Sequence, residues 1–109
     1  MNSSKEHDAK GILDRFTNPG KIQLISTGNL HSGLPYQRPV RPGHVKQLIR
    51  KWDPTYLTPV EVSYRDGKYN VVNGQHRIEA MRKMNGGENL MVQCMVYPGL
   101  TYQQEAAMY

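Results

Sequence analysis

The sequence predicts an α+β fold in a single small domain, and three observations carry that expectation. Asp66-Gly67 stands between two alternating apolar runs, a strong local signal for a two-residue hairpin turn. Val45, Leu48, Ile49 and Trp52 recur at the spacing of one helix face. Finally, the run Tyr69-Asn70-Val71-Val72-Asn73 passes through one glycine, Gly74, into Gln75-His76-Arg77-Ile78-Glu79-Ala80-Met81, so a strand turns sharply into a helix. Read along the chain, these and the weaker signals give about four strands with three or more helices.

Residues 1–20 are polar and end on the turn signal Asn18-Pro19-Gly20. They are expected to form a tail, or a short helix over 8–16, ahead of a domain covering 21–109. Residues 21–26 alternate enough for a first strand, and 27–35 supply a loop containing Gly28 and Gly33. Pro42 suits a first helical position, and Asp53-Pro54 ends the helix whose apolar stripe is expected in the core. Residues 59–64 and 69–73 are the arms of the hairpin. The helix after Gly74 is expected over 75–84, stopped by Asn85-Gly86-Gly87. A last strand follows over 89–97. Thr101 and Gln104, with Glu105 behind them, have the capping-box pattern of another helix start. That helix reaches Tyr109 without a stop signal, and a segment of barely two turns is marginal unless it packs on something.

Composition bounds the chemistry. A chain of 109 residues supports one core with little surplus. Its net charge of +5 favours acidic partners such as nucleotides or nucleic acid, although a solvated basic surface also accounts for it. The lone Cys94 cannot form an internal disulfide and lies in an apolar run, as a small buried residue would. No apolar stretch approaches the ~20 residues of a membrane span, and the polar start has no signal-peptide core. A cytoplasmic protein with no membrane partner is expected. No zinc-ligand spacing, Walker loop or Ser-His-Asp constellation occurs, so no structural metal is expected.

The glycine turn has the chemistry of an anion site. Gly74 allows close approach to the main chain, and the following helix offers free N–H groups and its positive dipole end, with His76 and Arg77 beside them. The alternative is a plain strand end with a solvated Arg77.

The segment Asn73-Gly74-Gln75-His76-Arg77 resembles the signature turn of the ParB/sulfiredoxin superfamily, whose members carry Gly-Glu-Arg-Arg or Gly-Cys-His-Arg there. Pro35-Tyr36-Gln37-Arg38-Pro39 resembles the Gln/Arg element that precedes the first helix of ParB-type domains. Thr58-Pro59-Val60-Glu61-Val62 resembles their Pro-Ile-x-Val strand, so the likeness covers residues 21–109. It implies a mixed sheet, and a phosphate held by Gly74, Gln75, His76 and Arg77 with Gln37 and Arg38 completing the pocket. His44, Gln47 and Lys51 fall at i, i+3 and i+7, matching in spacing, though not in identity, the positions where sulfiredoxins contact nucleotide phosphates. A solvated helix face is the other reading of that stripe.

The same resemblance divides the function classes. Sulfiredoxin chemistry needs a thiolate where this chain has Gln75, and Cys94 lies in another element, so sulfinic-acid reductase activity is not expected. In ParB-type triphosphate switches arginines grip the phosphates, and His76 stands in place of one of them, making its charge depend on pH. The implied cofactor is a nucleoside triphosphate with Mg²⁺, and the implied partners are a nucleotide or DNA. A phosphoryl-transfer enzyme or nuclease on this fold would need a carboxylate, with Glu79 the first candidate and Glu61 and Asp66 behind it. Glu79 equally suits a surface pair with Arg82 or Lys83. An inert protein-interaction domain is the third class. ParB-type proteins usually continue into an Asn-bearing phosphate motif and a helix-turn-helix, neither of which is in this sequence, so a further C-terminal domain or a homo-oligomer is an expectation too.

Overall fold

Asp66 and Gly67 both adopt positive φ, 53° and 75°, which is the two-residue hairpin turn expected from the Asp-Gly pair. In the computed structural model, which describes residues 20–109, that turn joins β3 (Val60–Arg65) to β4 (Lys68–Asn73). The expected N-terminal tail or helix lies outside the described residues. The remaining strands are β1 (Lys21–Ser26), β2 (Leu30–His31) and β5 (Met91–Pro98). The sheet order is β1-β5-β3-β4-β2, with β1 and β5 antiparallel, β5 and β3 parallel, β3 and β4 antiparallel, and β4 and β2 parallel. The sheet is therefore mixed, with five strands rather than about four. The extra strand is two residues long and pairs Leu30 and His31 with Tyr69 and Asn70, too short to show a period.

The core lies where α2 (Gln75–Met84) covers the sheet. Ile78 meets a layer of β-branched residues, including Val60, Val62, Val71, Val92 and Val96, with Ile25 and Cys94. These are the side chains that a pleated, buried surface favours. Cys94 is fully buried, and burial pushes its thiol up to about 11, so it is a packing residue, not a nucleophile.

The helix α1 (Pro42–Arg50) departs from expectation. Only Val45 of its apolar stripe is fully buried, while Leu48, Ile49 and Trp52 are half-buried. Its main packing is on α2, a single narrow helix that covers only part of the stripe. After α1, Asp53 caps a short 3₁₀ turn (Pro54–Leu57) by accepting the Thr55 N–H at 2.8 Å.

The last helix, α3 (Tyr102–Met108), opens with the expected capping box between Thr101 and Gln104. Its anchor is Glu105, which is fully buried. The carboxylate accepts from Tyr36 Oη at 2.7 Å, Arg65 Nε at 3.0 Å, and Asn70 Nδ2 at 3.2 Å. Burial alone would raise the carboxyl pKa, but hydrogen bonds from Arg65, Tyr36 and Asn70 overcome it and hold the group at about 2. Tyr36 also meets the rings of Tyr102 and Tyr109 edge-on at 5.7 and 5.8 Å. A helix too short to stand alone is thus fixed by tertiary contacts.

Candidate functional site

Gly74 has φ 109° at the junction of β4 and α2. A Cβ there would lie 2.6 Å from Val60 Cγ1 and 3.0 Å from Arg77 Nη2, so glycine is needed for backbone conformation and for space alike. No side chain caps α2, and its first intrahelical bond runs from Ile78 N–H to Gly74 O. The N–H groups of Gln75, His76 and Arg77 are accordingly available.

The start of α1 is bare in the same way. Arg41 is its N-cap without a side-chain bond, and Pro42 occupies the first turn. The two helix starts meet: Arg41 N–H donates to His76 Nε2 at 3.1 Å, and the His44 and His76 rings lie 4.3 Å apart between centroids. Two positive dipole ends therefore face one space.

That space is a pocket of about 280 Å³. His44 and Leu48 of α1 form one wall, Val72 and Asn73 of β4 another, and Tyr109 and the Gly74–Arg77 turn complete it. A more open basin of about 540 Å³ adjoins through His44 and is lined by Arg41, Gly43 and Gln47. An apolar cleft of about 320 Å³ around Leu24, Leu57 and Met91 lies elsewhere and holds no titratable group, so its size does not make it the site of chemistry.

Arg77 supplies the pocket's fixed charge. Its Nη1 donates to Tyr56 O at 3.0 Å, Thr58 O at 2.9 Å and Thr58 Oγ1 at 2.9 Å, all neutral acceptors positioned by the 3₁₀ turn. Among the described residues no carboxylate is within ion-pairing distance of it. Burial lowers its pKa and the more distant Glu61 opposes that, but a guanidinium remains a cation at neutral pH. The pocket thus has a half-buried positive charge held by dipoles alone. For His76, burial first, then the nearby His44 and Arg41, depress the pKa. Its Nε2 accepts a hydrogen bond, so in this state the ring is neutral with the proton on Nδ1.

The structure brings His44, Gly74, Gln75, His76 and Arg77 around one pocket and engages several expected residues in other contacts. Gln75 is buried, and its Nε2 donates to Arg38 O at 3.0 Å, which ties the preceding loop to α2. Gln37 accepts from Leu34 N–H at 3.1 Å and donates to Val71 O, which clips its loop to β4. Arg38 has its main chain engaged by Tyr109 and Gln75 and its side chain exposed. Gln47 lines only the open basin, and Lys51 is exposed at the far end of α1.

Glu79 makes the surface pair with Arg82, one of its two expected readings. It accepts from Arg82 Nη1 at 2.7 Å in an i,i+3 pair and lines a separate cleft with Thr27 and Ser32. Helical periodicity explains this, since four residues beyond Gln75 the side chain has left the start of the helix. Glu61 accepts from Asn73 Nδ2 at 3.1 Å, and Asp66 sits on the hairpin turn against Arg65. Among the described residues no group of three or more His, Cys, Asp or Glu side chains could hold a metal ion. Sequence reasoning missed Arg41, Leu48 and Tyr109. The position of Arg41 just before Pro42 marks it as an N-cap, whereas nothing local points Tyr109 at this pocket.

Residues 33–109 match the model of a family described as a family of unknown function, DUF6551. Among solved structures, sulfiredoxin from Arabidopsis thaliana aligns with a TM-score of 0.54 and 26% identity, over 72% of this chain and 86% of that one. The C-terminally truncated chromosome-partitioning protein ParB from Caulobacter crescentus, complexed with CTP-γ-S, aligns with a TM-score of 0.62 and 20% identity. That match covers 82% of this chain and 50% of the ParB chain, so this chain spans about half its length. No curated protein matches. The fold is ParB/sulfiredoxin-like, as the Gly74 turn had suggested.

Proposed function

We propose that this chain, which belongs to the DUF6551 family, binds the phosphates of a nucleoside triphosphate where the N-termini of α1 and α2 converge. One observation carries the reading: two uncapped helix starts and the unneutralised Arg77 border a single pocket. Free N–H groups of Gln75, His76 and Arg77 would donate to phosphate oxygens, Arg77 would supply the fixed charge, and His44 would close the outer wall. The ParB neighbour, captured with CTP-γ-S, supports a nucleotide as the first candidate. Mg²⁺ would enter on the phosphates it bridges, because the pocket itself offers no carboxylate set. The reading is of a binding module because no carboxylate or thiol lines the pocket to act as metal ligand or nucleophile, and its two histidines, His44 and His76, are assigned to the phosphate.

Calorimetry of the chain with ATP, CTP and GTP, each with Mg²⁺, tests this. Binding of at least one is expected. His44→Glu, a change at an exposed side chain, should weaken it by about 10-fold, or about 1.4 kcal/mol. Failure of all three to bind, or indifference to His44→Glu, ends the proposal. Mg²⁺-dependent turnover would replace it with an enzyme.

A pH dependence follows from His76. Its pKa in the free chain is depressed below the ordinary histidine value of 6.5, so the folded protein takes up that proton at lower pH than the unfolded one. The stability that the neutral ring allows is therefore fully present above 6.5 and is lost as pH falls from there through the lower folded-state pKa. A bound phosphate favours the imidazolium, so binding should raise the His76 pKa, and affinity should increase between about pH 8 and about pH 6. NMR titration of the His76 ring, free and with nucleotide, reads both. An unchanged pKa would place the anion elsewhere.

A further inference from the structure

The chain's whole positive excess lies in one stretch. Residues 38–51 contain Arg38, Arg41, Lys46, Arg50 and Lys51 and no acidic residue, while the nine Lys and Arg elsewhere equal the nine Asp and Glu in number. The structure keeps this charge on the surface. All five side chains belong to exposed residues, and none has a carboxylate partner among the described residues, whereas Arg65 and Arg82 are paired with acids.

On α1, Val45, Leu48 and Ile49 lie on the side that packs on α2, so helical spacing places Gly43, Lys46, Gln47 and Arg50 on the opposite side. Nine helical residues extend about 14 Å, and in sequence Arg38 and Arg41 precede the helix and Lys51 follows it. Charges spread over that distance suit a polyanion and cannot converge on one small ion. Two polyanionic surfaces are disfavoured by what the strip lacks. It presents no exposed aliphatic row that could enter a bilayer. It also has no aromatic platform for unpaired bases, since Trp52 is half-buried and packed edge-on against Tyr56 at 5.4 Å.

We infer that the outer face of α1 binds the phosphodiester backbone of a duplex nucleic acid without reading its sequence. The inference goes beyond the pocket, because Lys46 and Arg50 do not line it. Phosphate contacts of this kind position a protein and supply salt-dependent affinity, while base edges would be needed for specificity.

Fluorescence anisotropy of the full chain with a labelled short duplex DNA of random sequence is the test. If all five cations make contact, log affinity should fall against log salt with a slope of about −4.5, or about 500-fold between about 50 and about 200 mM. Lys46→Ala with Arg50→Ala should reduce the slope to about −2.7, or about 40-fold over the same range, with nucleotide binding unchanged. Both positions are exposed, and an unaltered melting curve would show that the variant is folded. Binding to an RNA duplex, alongside or in place of DNA, supports the inference equally, because the phosphodiester chemistry is shared. A chain that binds duplex but no nucleotide upholds it and removes the pocket reading. No binding at low salt overturns it, as does an unchanged slope in the double variant. Tighter binding to single strands or to phosphatidylserine vesicles overturns it as well.

Discussion

Glu105→Ala should lower the stability of the chain by about 3 kcal/mol, near the bottom of the range for breaking a buried ion pair from one side. The substitution removes the acceptor shared by Tyr36, Arg65 and Asn70. Asn70 is 2% exposed and cannot turn to water, so its amide is left without that partner. Arg65 can swing outward because its side chain is 22% exposed, which holds the loss to the lower end. Urea unfolding should show an earlier midpoint with little change in slope. The same network gives a pH signature. The Glu105 pKa is about 2 when folded against an ordinary value of 4.5, so its stabilisation is complete above 4.5 and is lost as pH falls toward about 2. Glu105→Gln should flatten that part of the acid-unfolding curve. A variant as stable as the parent, with the same acid profile, would show that α3 is held by its aromatic contacts instead.

Gly74→Ala should be similarly costly, about 3 kcal/mol, from two separate causes. A residue with a Cβ at φ 109° pays about 1–2 kcal/mol in backbone strain. Overpacking adds about 1–3 kcal/mol, because the new methyl lies 2.6 Å from Val60 Cγ1. Val60 is only 1% exposed and sits in the core, so it has nowhere to retreat. Any relaxation must move the start of α2, and nucleotide affinity should fall even in the molecules that remain folded. Thermal unfolding with calorimetry on the folded variant reads both effects. Unchanged stability would mean that the turn opens easily and the N–H groups are not rigidly aimed.

Local chemistry was legible and distant pairing was not. Asp66-Gly67 announced its turn, Gly74 and Asn85-Gly86-Gly87 bracket α2 at the expected residues, and Thr101 with Gln104 start α3. Each of those signals acts within a few residues of itself. Gln37 and Gln75 read as ligand groups, and Glu105 as part of a helix start, because their partners, Val71, Arg38 and Arg65, are more than thirty positions away. The α1 stripe predicted a buried face correctly in direction and too generously in depth, since periodicity cannot say how wide a neighbour will cover it. The strand-glycine-helix pattern located the Gly74 turn, and the resemblance supplied its fold. The His44–His76 contact and the Arg41–His76 bond emerge only when two helix starts are brought together.

The sheet's strand order also bears on when each part of the molecule is made. β3, its tight turn, β4 and α2 form one uninterrupted run from Val60 to Met84, so the Gly74 junction closes with short loops. β1 must wait for β5, which brings Ser26 beside Met91 from the other end of the sequence. The junction is therefore expected among the early-formed contacts, and the β1 seam among the late ones. That seam lies across β3 from β4, so its opening leaves the hydrogen-bonded pairing of β3 with β4 next to the Gly74 turn in place.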